Sequence, residues 1–243
     1  MQVIDAKGLH FSALGARLRE LRGQEVQIQN CLGHRYIGAG ITDIKIDIQG
    51  VPGNALGAYL GAGSEIAVHG NAQDATGDTM SGGEIRIGGS AGDALGYGMR
   101  GGSIFVRGNA GYRAGIHMKE YGETRPQLVI GGRCGDFLGE YQAGGLIVVL
   151  GIGLPEGTAP VGRFCGTGMH GGRIFLRGFT RPAELPPQVS VHEADADDMD
   201  VIHPALERFA LLFDADFERL VNDPYLVLTP NSNNPYRAMY VSS

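Results

Sequence analysis

The sequence predicts an all-β fold: a single-stranded right-handed parallel β-helix of about seven coils, with a short N-terminal helix and a C-terminal helical and extended cap. Three observations predict it. Glycine supplies 41 of the 243 residues, more than twice the usual share of about 7%. One glycine recurs in register, as Gly38, Gly57, Gly77, Gly96, Gly115, Gly139 and Gly166, at spacings of 19, 20, 19, 19, 24 and 27 residues. After it comes a short strand with apolar residues two apart, as in Ile66/Val68, Ile85/Ile87, Ile104/Val106, Ile147/Val149 and Ile174/Leu176.

Each element has a physical reason. A coil must turn its corners within two or three residues, which needs positive φ, and glycine accepts that without a Cβ penalty. Three positions after the coil glycine stands Leu60, Met80, Met99, Met118 or Met169, with Gln142 as the exception. Gly-Gly pairs (82–83, 101–102, 144–145, 171–172) precede the best strands, and a glycine such as Gly70, Gly89, Gly108 or Gly178 closes them. Alternation in the strand sends one side chain inward and the next outward. Stacking then places Ile85 over Ile66 and Ile104 over Ile85, so a ladder of branched side chains fills the bore. Right-handedness follows from the general bias of parallel crossovers.

Three regions result: an N-terminal strand and helix cap over 1–24, the glycine-punctuated solenoid over 25–180, and a linker, helix and extended tail over 181–243. Residues 12–22 suggest a helix that Ser12 caps, with Leu14, Leu18 and Leu21 on one face and Gly23 at its end. From about 199 to 221, Ile202, Leu206, Phe209, Phe213, Phe217 and Leu220 recur at steps of three or four, and Pro204 fits a first helical turn. Such a helix is a natural cover for an open solenoid end. The stretch 225–240 reads as a strand followed by a Pro/Asn-rich tail that packs on its own solenoid or grips a partner. Two coils carry insertions, 119–126 and 152–160, which read as projecting loops of a binding side or as tolerated surface loops.

Composition narrows the function. A net charge of −6 without blocks of like charge argues against a nucleic-acid footprint. No apolar run reaches the roughly 20 residues of a membrane helix, and the start lacks a signal-peptide pattern. Cys31, Cys134 and Cys165 are few and scattered, which suits a reducing compartment and speaks against a disulfide framework or zinc site. The chain reads as soluble and cytoplasmic.

Motifs carry little self-contained chemistry. Gly96-Tyr-Gly-Met-Arg-Gly101 and Gly166-Thr-Gly-Met-His-Gly171 match G-x-G-x-x-G, yet neither precedes a helical pattern and both occupy one register of the repeat. No close His/Asp/Glu cluster marks a metal, and no serine nucleophile signature is present. The outward strand positions Arg86, Phe105, Val148 and Phe175 form no acidic row of the kind a polysaccharide-cleaving solenoid would show. Catalytic, cofactor-binding and metal residues are therefore all assigned as none. His117 and His170 fall at similar places in their units. With Lys119, Glu120 and Tyr121 they form the candidate partner- or substrate-facing surface, the alternative being ordinary solvated loop residues.

The units GNAQDATGDTMSGGEIRIGG, GSAGDALGYGMRGGSIFVRG and GRCGDFLGEYQAGGLIVVLG resemble the GXGXG β-helix domain at the C-terminus of the glutamate synthase large subunit. They look most like its free-standing form, in which glutaminase, β-helix and FMN/iron–sulfur parts are separate chains. The segments 30–38, 115–121 and 166–172 share the resemblance, which spans about residues 3–240. The same domain type is similar to the β-helix subunit of formylmethanofuran dehydrogenases. The resemblance implies a non-catalytic scaffold that orients a glutaminase subunit against an FMN/Fe–S synthase subunit for amide nitrogen transfer to a 2-oxo acid or related acceptor. The alternative it implies is the β-helix subunit of a molybdenum- or tungsten-dependent formylmethanofuran-type dehydrogenase complex. Either way no cofactor is expected in this chain, FMN and iron–sulfur clusters being expected on partner subunits. A homo-oligomer without redox partners is a further possibility.

Overall fold

A computed structural model describes residues 1–231. The nine parallel strands are β1 (Gln2–Asp5), β2 (Glu25–Leu32), β3 (Lys45–Val51), β4 (Glu65–Val68), β5 (Ser81–Ile87), β6 (Gly101–Val106), β7 (Gln127–Ile130), β8 (Ala143–Val149) and β9 (Gly171–Arg177). Each pairs with the next in sequence, so one strand per coil stacks along the axis of a β-solenoid of about seven turns. The register is the expected one. Ile46, Ile66, Ile85, Ile104, Leu128, Ile147 and Ile174 lie directly over one another. All are buried in one continuous cluster with the Met80, Met99, Met118 and Met169 column. The Gly-Gly pairs take the form of a bulge at the strand start: register shifts between Ser81 and Glu84 and between Ala143 and Leu146, with Gly83 and Gly145 at φ of 80° and 84°.

Both ends are closed. Helix α1 (Phe11–Glu20) sets Leu14 and Leu18 into the bore cluster at the N-terminal end. Its N-cap is His10, whose ring Nδ1 accepts from the Ser12 backbone N–H at 3.4 Å, so Ser12 lies inside the helix. At the other end β11 (Tyr225–Pro230) runs antiparallel to β9, and β10 (Val189–Glu193) runs antiparallel to β11 as the last strand. Leu226 and Leu228 face the bore while Tyr225 and Val227 face outward, so the alternation buries β11 on both sides.

The expected single helix over 199–221 is two: α2 (Ala196–Phe213) and α3 (Phe217–Asn222), separated where Asp214 adopts a left-handed φ of 53°. Asp195 caps α2 in a reciprocal capping box with Asp198, so the helix starts three residues earlier than its apolar pattern, and Pro204 falls in its interior. The helices also cover a different surface from the one expected. Instead of closing the end, they lie on the outer face of the sheet, where Ile202, Leu206, Phe209 and Leu220 pack against the outward Phe105, Val129, Val148, Phe175 and Val227. Those outward residues would otherwise expose an apolar patch on four consecutive coils, and each large side chain buried contributes on the order of 1.5–3 kcal/mol. Arg208 fixes the far side of α2 through two bonds to Glu84, at 2.9 and 2.6 Å. No helix among the described residues is long and apolar enough to cross a membrane. The tail beyond 231 lies outside the described residues.

Candidate functional site

The corner opposite the strands is built on a conformational alternation. In every coil the coil glycine and the residues two before and two after it all have positive φ. In the coil of Gly57 these are Ala55, Gly57 and Tyr59 at 60°, 63° and 56°; in the coil of Gly139 they are Phe137, Gly139 and Tyr141 at 63°, 65° and 53°. Their hydrogen bonds alternate too. The glycine N–H donates back to the preceding coil, as from Gly57 to Ile37 O at 2.8 Å. The two flanking N–H groups donate forward, as from Ala55 to Asp74 O at 2.9 Å and from Tyr59 to Asp78 O at 2.7 Å. A corner that reverses its peptide groups at every second residue therefore bonds both neighbours and leaves none of these N–H groups orphaned. The coil glycine points inward, and a Cβ on Gly139 would come within 2.7 Å of Ile174 Cδ1 from the next coil. The flanking positions point outward, so most coils carry a side chain there, whereas at Gly168 a Cβ would meet the Tyr141 ring at 2.5 Å.

Polar side chains reinforce the corner edge. Asp74 accepts from the Asp93 N–H, Asp93 from that of Tyr112, and Asp136 from that of Arg163, at 2.8–2.9 Å. A second row runs from Asn71 through Ser90 to Asn109. Each side chain caps the N–H one coil along.

In the later coils the outward flanking positions carry large side chains that stack between coils. Arg113 lies over the Phe137 ring at 5.2 Å, and Phe137 stacks on Phe164 with centroids 5.0 Å apart. His117 stacks on Tyr141 at 5.2 Å and meets Tyr97 edge-on at 5.8 Å. Arg113 Nε donates to Glu140 at 3.0 Å, which joins the two stacks into one surface.

The five expected surface residues divide among three places. His117 is central to one stack. Lys119 and His170 occupy the same register position, four residues beyond Gly115 and Gly166, and border that stack two coils apart. His170 Nδ1 lies 3.3 Å from the carbonyl of Gly168. Glu120 instead turns toward the outer sheet face. Its carboxylate accepts from the Gly145 N–H at 3.1 Å, stands 3.6 Å from Arg125, and lines a cleft of about 180 Å³ with Arg173 and Val201. Tyr121 is 81% exposed on the projecting loop, bridged to Thr124. Sequence reasoning missed Tyr97, Arg113, Phe137 and Phe164. The available signal was positional: bulky residues in aligned slots where other coils place Gly40, Gly98 or alanine.

Elsewhere the polar groups serve structure. Asp198 accepts from Arg173 at 3.0 Å and meets His192 Nε2 at 2.8 Å while capping α2. Ser12 meets the His10 ring at 2.7 Å at the start of α1. Cys134 and Cys165 are fully buried, and burial pushes the Cys165 thiol up to about 12. Burial first, and the neighbouring Cys165 second, push Cys134 well above its ordinary value. Desolvation likewise raises Cys31 to about 11, against a lowering backbone hydrogen bond at His34. Thiols held protonated in this way are poor nucleophiles. Among the described residues no group of three or more His, Cys, Asp or Glu is placed to hold a metal ion.

Comparison with known proteins places this geometry among relatives. The family model described as GXGXG motif matches residues 21–221. An uncharacterized protein of Methanocaldococcus jannaschii is 42% identical over 251 aligned positions, covering 98% of this chain and 95% of the relative. A chain in the crystal structure of the formyltransferase/hydrolase complex of Methylorubrum extorquens, solved with methylofuran, superposes with a TM-score of 0.63. It shares 20% identity over 92% of this chain and 90% of its own.

Proposed function

The chain belongs to the GXGXG motif family, and from that premise we propose that it is a non-catalytic assembly subunit: a rigid column that orients catalytic partner chains. The observation that carries this reading is the division between inside and surface. The bore is filled from Val26 and Ile28 to Ile174, Leu176, Leu226 and Leu228 by one apolar cluster, while the corner face holds stacked rings and guanidinium groups in the open. A filled column offers no internal chamber for a substrate; it offers a stiff ladder of surfaces at fixed spacing.

The enzymatic setting best supported is a formylmethanofuran-type complex, because the solved neighbour sits in a formyltransferase/hydrolase assembly and matches nearly the whole of both chains. Molybdenum or tungsten on a partner chain would then supply the redox chemistry. The second reading is a glutamate-synthase-like complex with a glutaminase and an FMN/Fe–S synthase chain. It is favoured by the likeness of the units GNAQDATGDTMSGGEIRIGG and GSAGDALGYGMRGGSIFVRG to that enzyme's β-helix domain.

Native purification through a tag on this chain tests both. A stoichiometric complex bearing a pterin-bound metal is the expected result; a yellow-brown complex with FMN and iron would select the second reading. A colourless homo-oligomer without catalytic partners would overturn the scaffold assignment.

A further inference from the structure

We infer that the stacked corner face of coils four to seven is a protein-docking surface for an acidic partner segment; this deepens the scaffold reading and rests on it. The argument begins with strain. Arg113, His117, Phe137, Tyr141 and Phe164 all sit at φ between 53° and 63°, a region that costs a non-glycine residue roughly 1–2 kcal/mol. Glycine is accepted at the same slots, as Gly40, Gly98 and Gly168 show. None of these side chains enters the bore. Ring stacking returns only about 0.5–1.5 kcal/mol per pair, so folding alone gives little reason to place bulky residues there. Ala55, Ala75 and Ala94 bear the same backbone cost in earlier coils, so what sets the later coils apart is side-chain bulk that brings no core packing, and that points to a surface with another task.

Contiguity is the second step. Contacts run without a gap from Phe164 to Phe137, to Arg113, to Glu140, whose chain neighbour Tyr141 stacks on His117, which touches Tyr97. The N–H groups of Arg113, His117, Phe137 and Tyr141 each donate to the next coil, so little order remains to be imposed on these side chains when a partner arrives. Tyrosine and arginine in such a setting are the residue types that dominate protein interfaces.

Charge selects the partner. The chain as a whole carries −6, yet the charged ends that project freely from this face are mostly cationic, because the carboxylates of Asp93 and Asp136 are taken up by the backbone N–H groups of Tyr112 and Arg163. Arg113 and Arg163 keep 55% and 66% of their side chains exposed, whereas Glu140, the carboxylate within the stacks, keeps 13% and is already paired with Arg113. Arg100 and Lys119 stand exposed in the adjoining column, which His170 continues. The Arg163 guanidinium reaches Glu184 at 3.7 Å, across a pair that is 66% and 47% exposed. An occupant presenting several carboxylates beside aliphatic or aromatic groups matches both the charge and the rings. A partner of net positive charge does not.

The test uses the full chain purified natively with its partners, beside the double variant Phe137→Gly/Phe164→Gly. Glycine suits both backbone positions, so the variant is expected to melt within a few degrees of wild type, while loss of two central rings weakens partner retention by at least about 30-fold. A zero-length amine–carboxylate cross-linker applied to the wild-type complex is expected to join Lys119 to an aspartate or glutamate of the partner. Retention of the partner by the folded variant, or adducts only on other faces, would overturn the docking surface and leave the scaffold role standing. Wild-type protein that carries no stoichiometric protein partner, or carries nucleic acid in its place, would overturn both.

Discussion

Replacing Gly57 by alanine separates two reasons for a glycine that sequence inspection merges. At Gly57 the backbone has φ of 63°, and an added Cβ would lie 2.5 Å from Ile85 Cδ1 and 3.4 Å from Ile66 Cδ1. The left-handed backbone costs an alanine roughly 1–2 kcal/mol, and forcing a methyl into the filled bore costs about 1–3 kcal/mol more. The sum is about 2–5 kcal/mol. At Gly98 the φ is nearly the same, 58°, but the nearest atom to an added Cβ is Thr79 Oγ1 at 3.5 Å. Gly98→Ala therefore bears the backbone cost alone, about 1–2 kcal/mol. Urea unfolding of both variants should show Gly57→Ala as the weaker by at least about 1 kcal/mol. Ile85→Val, which removes the colliding Cδ1 and alone costs about 0.5–1.5 kcal/mol, should suppress part of the Gly57→Ala loss in the double variant. Equal losses at the two glycines, or strict additivity of Gly57→Ala with Ile85→Val, would refute the claim that inward glycines exist to admit the next coil's isoleucine.

Two further outcomes bear on the bore. Cys134 and Cys165 stay protonated in the folded state far above the ordinary thiol pKa of 9.0, Cys165 to about 12. The unfolded chain ionises from pH 9 upward while the folded chain does not, so this stability is present below pH 9 and is lost as pH rises toward the folded values, at roughly 1.4 kcal/mol per pH unit for each thiol. Denaturant melts between pH 8 and 11 check it, and Cys134→Ala/Cys165→Ala should flatten the slope. Gln142 is buried where four other coils hold methionine, with its Nε2 donating to Gly144 O at 3.2 Å and Gly145 O at 3.1 Å. Gln142→Met should cost about 1–2 kcal/mol by leaving those carbonyls without a donor. A gain in stability would show instead that the unpartnered Oε1 outweighs both bonds.

Much of the bore was legible because its period is written twice, in the glycine and in the branched pair that follows it. Leu128 and Ile130, which take full part in the ladder, were hidden because the 119–126 insertion lengthens the spacing ahead of them. The three-fold alternation of positive φ could not be read. Ala55, Ala75 and Ala94 occupy left-handed positions, and alanine gives no sign of it; only hydrogen bonding to both neighbouring coils sustains the conformation. The extent of α2 was obscured because its first turn is polar: Asp195, Asp197 and Asp198 cap and charge it rather than continue an apolar stripe. The candidate site was half visible. His117, Lys119 and His170 share one side, whereas Glu120 satisfies a bulge N–H on another, an arrangement fixed by the Gly144–Gly145 bulge and not by chain spacing.

The two exterior faces treat apolar side chains in opposite ways, and that contrast bears on function. From β2 onward, the outward residues in this ladder column are large and apolar only where α2 and α3 lie, at Phe105, Val129, Val148, Phe175 and Val227. Beyond the reach of the helices the same positions turn polar or small, as Gln27, Asp47, Ala67 and Arg86, and Arg208 marks the boundary by its bonds to Glu84. Apolar surface on that face is thus matched to its own cover. On the corner face no such matching occurs. Tyr36, Tyr59 and Phe164 remain exposed at left-handed φ, although glycine or alanine serves the fold at equivalent slots. That one face is covered so economically while rings stay open on the other, at left-handed backbone positions, supports the proposal that the second face meets other chains.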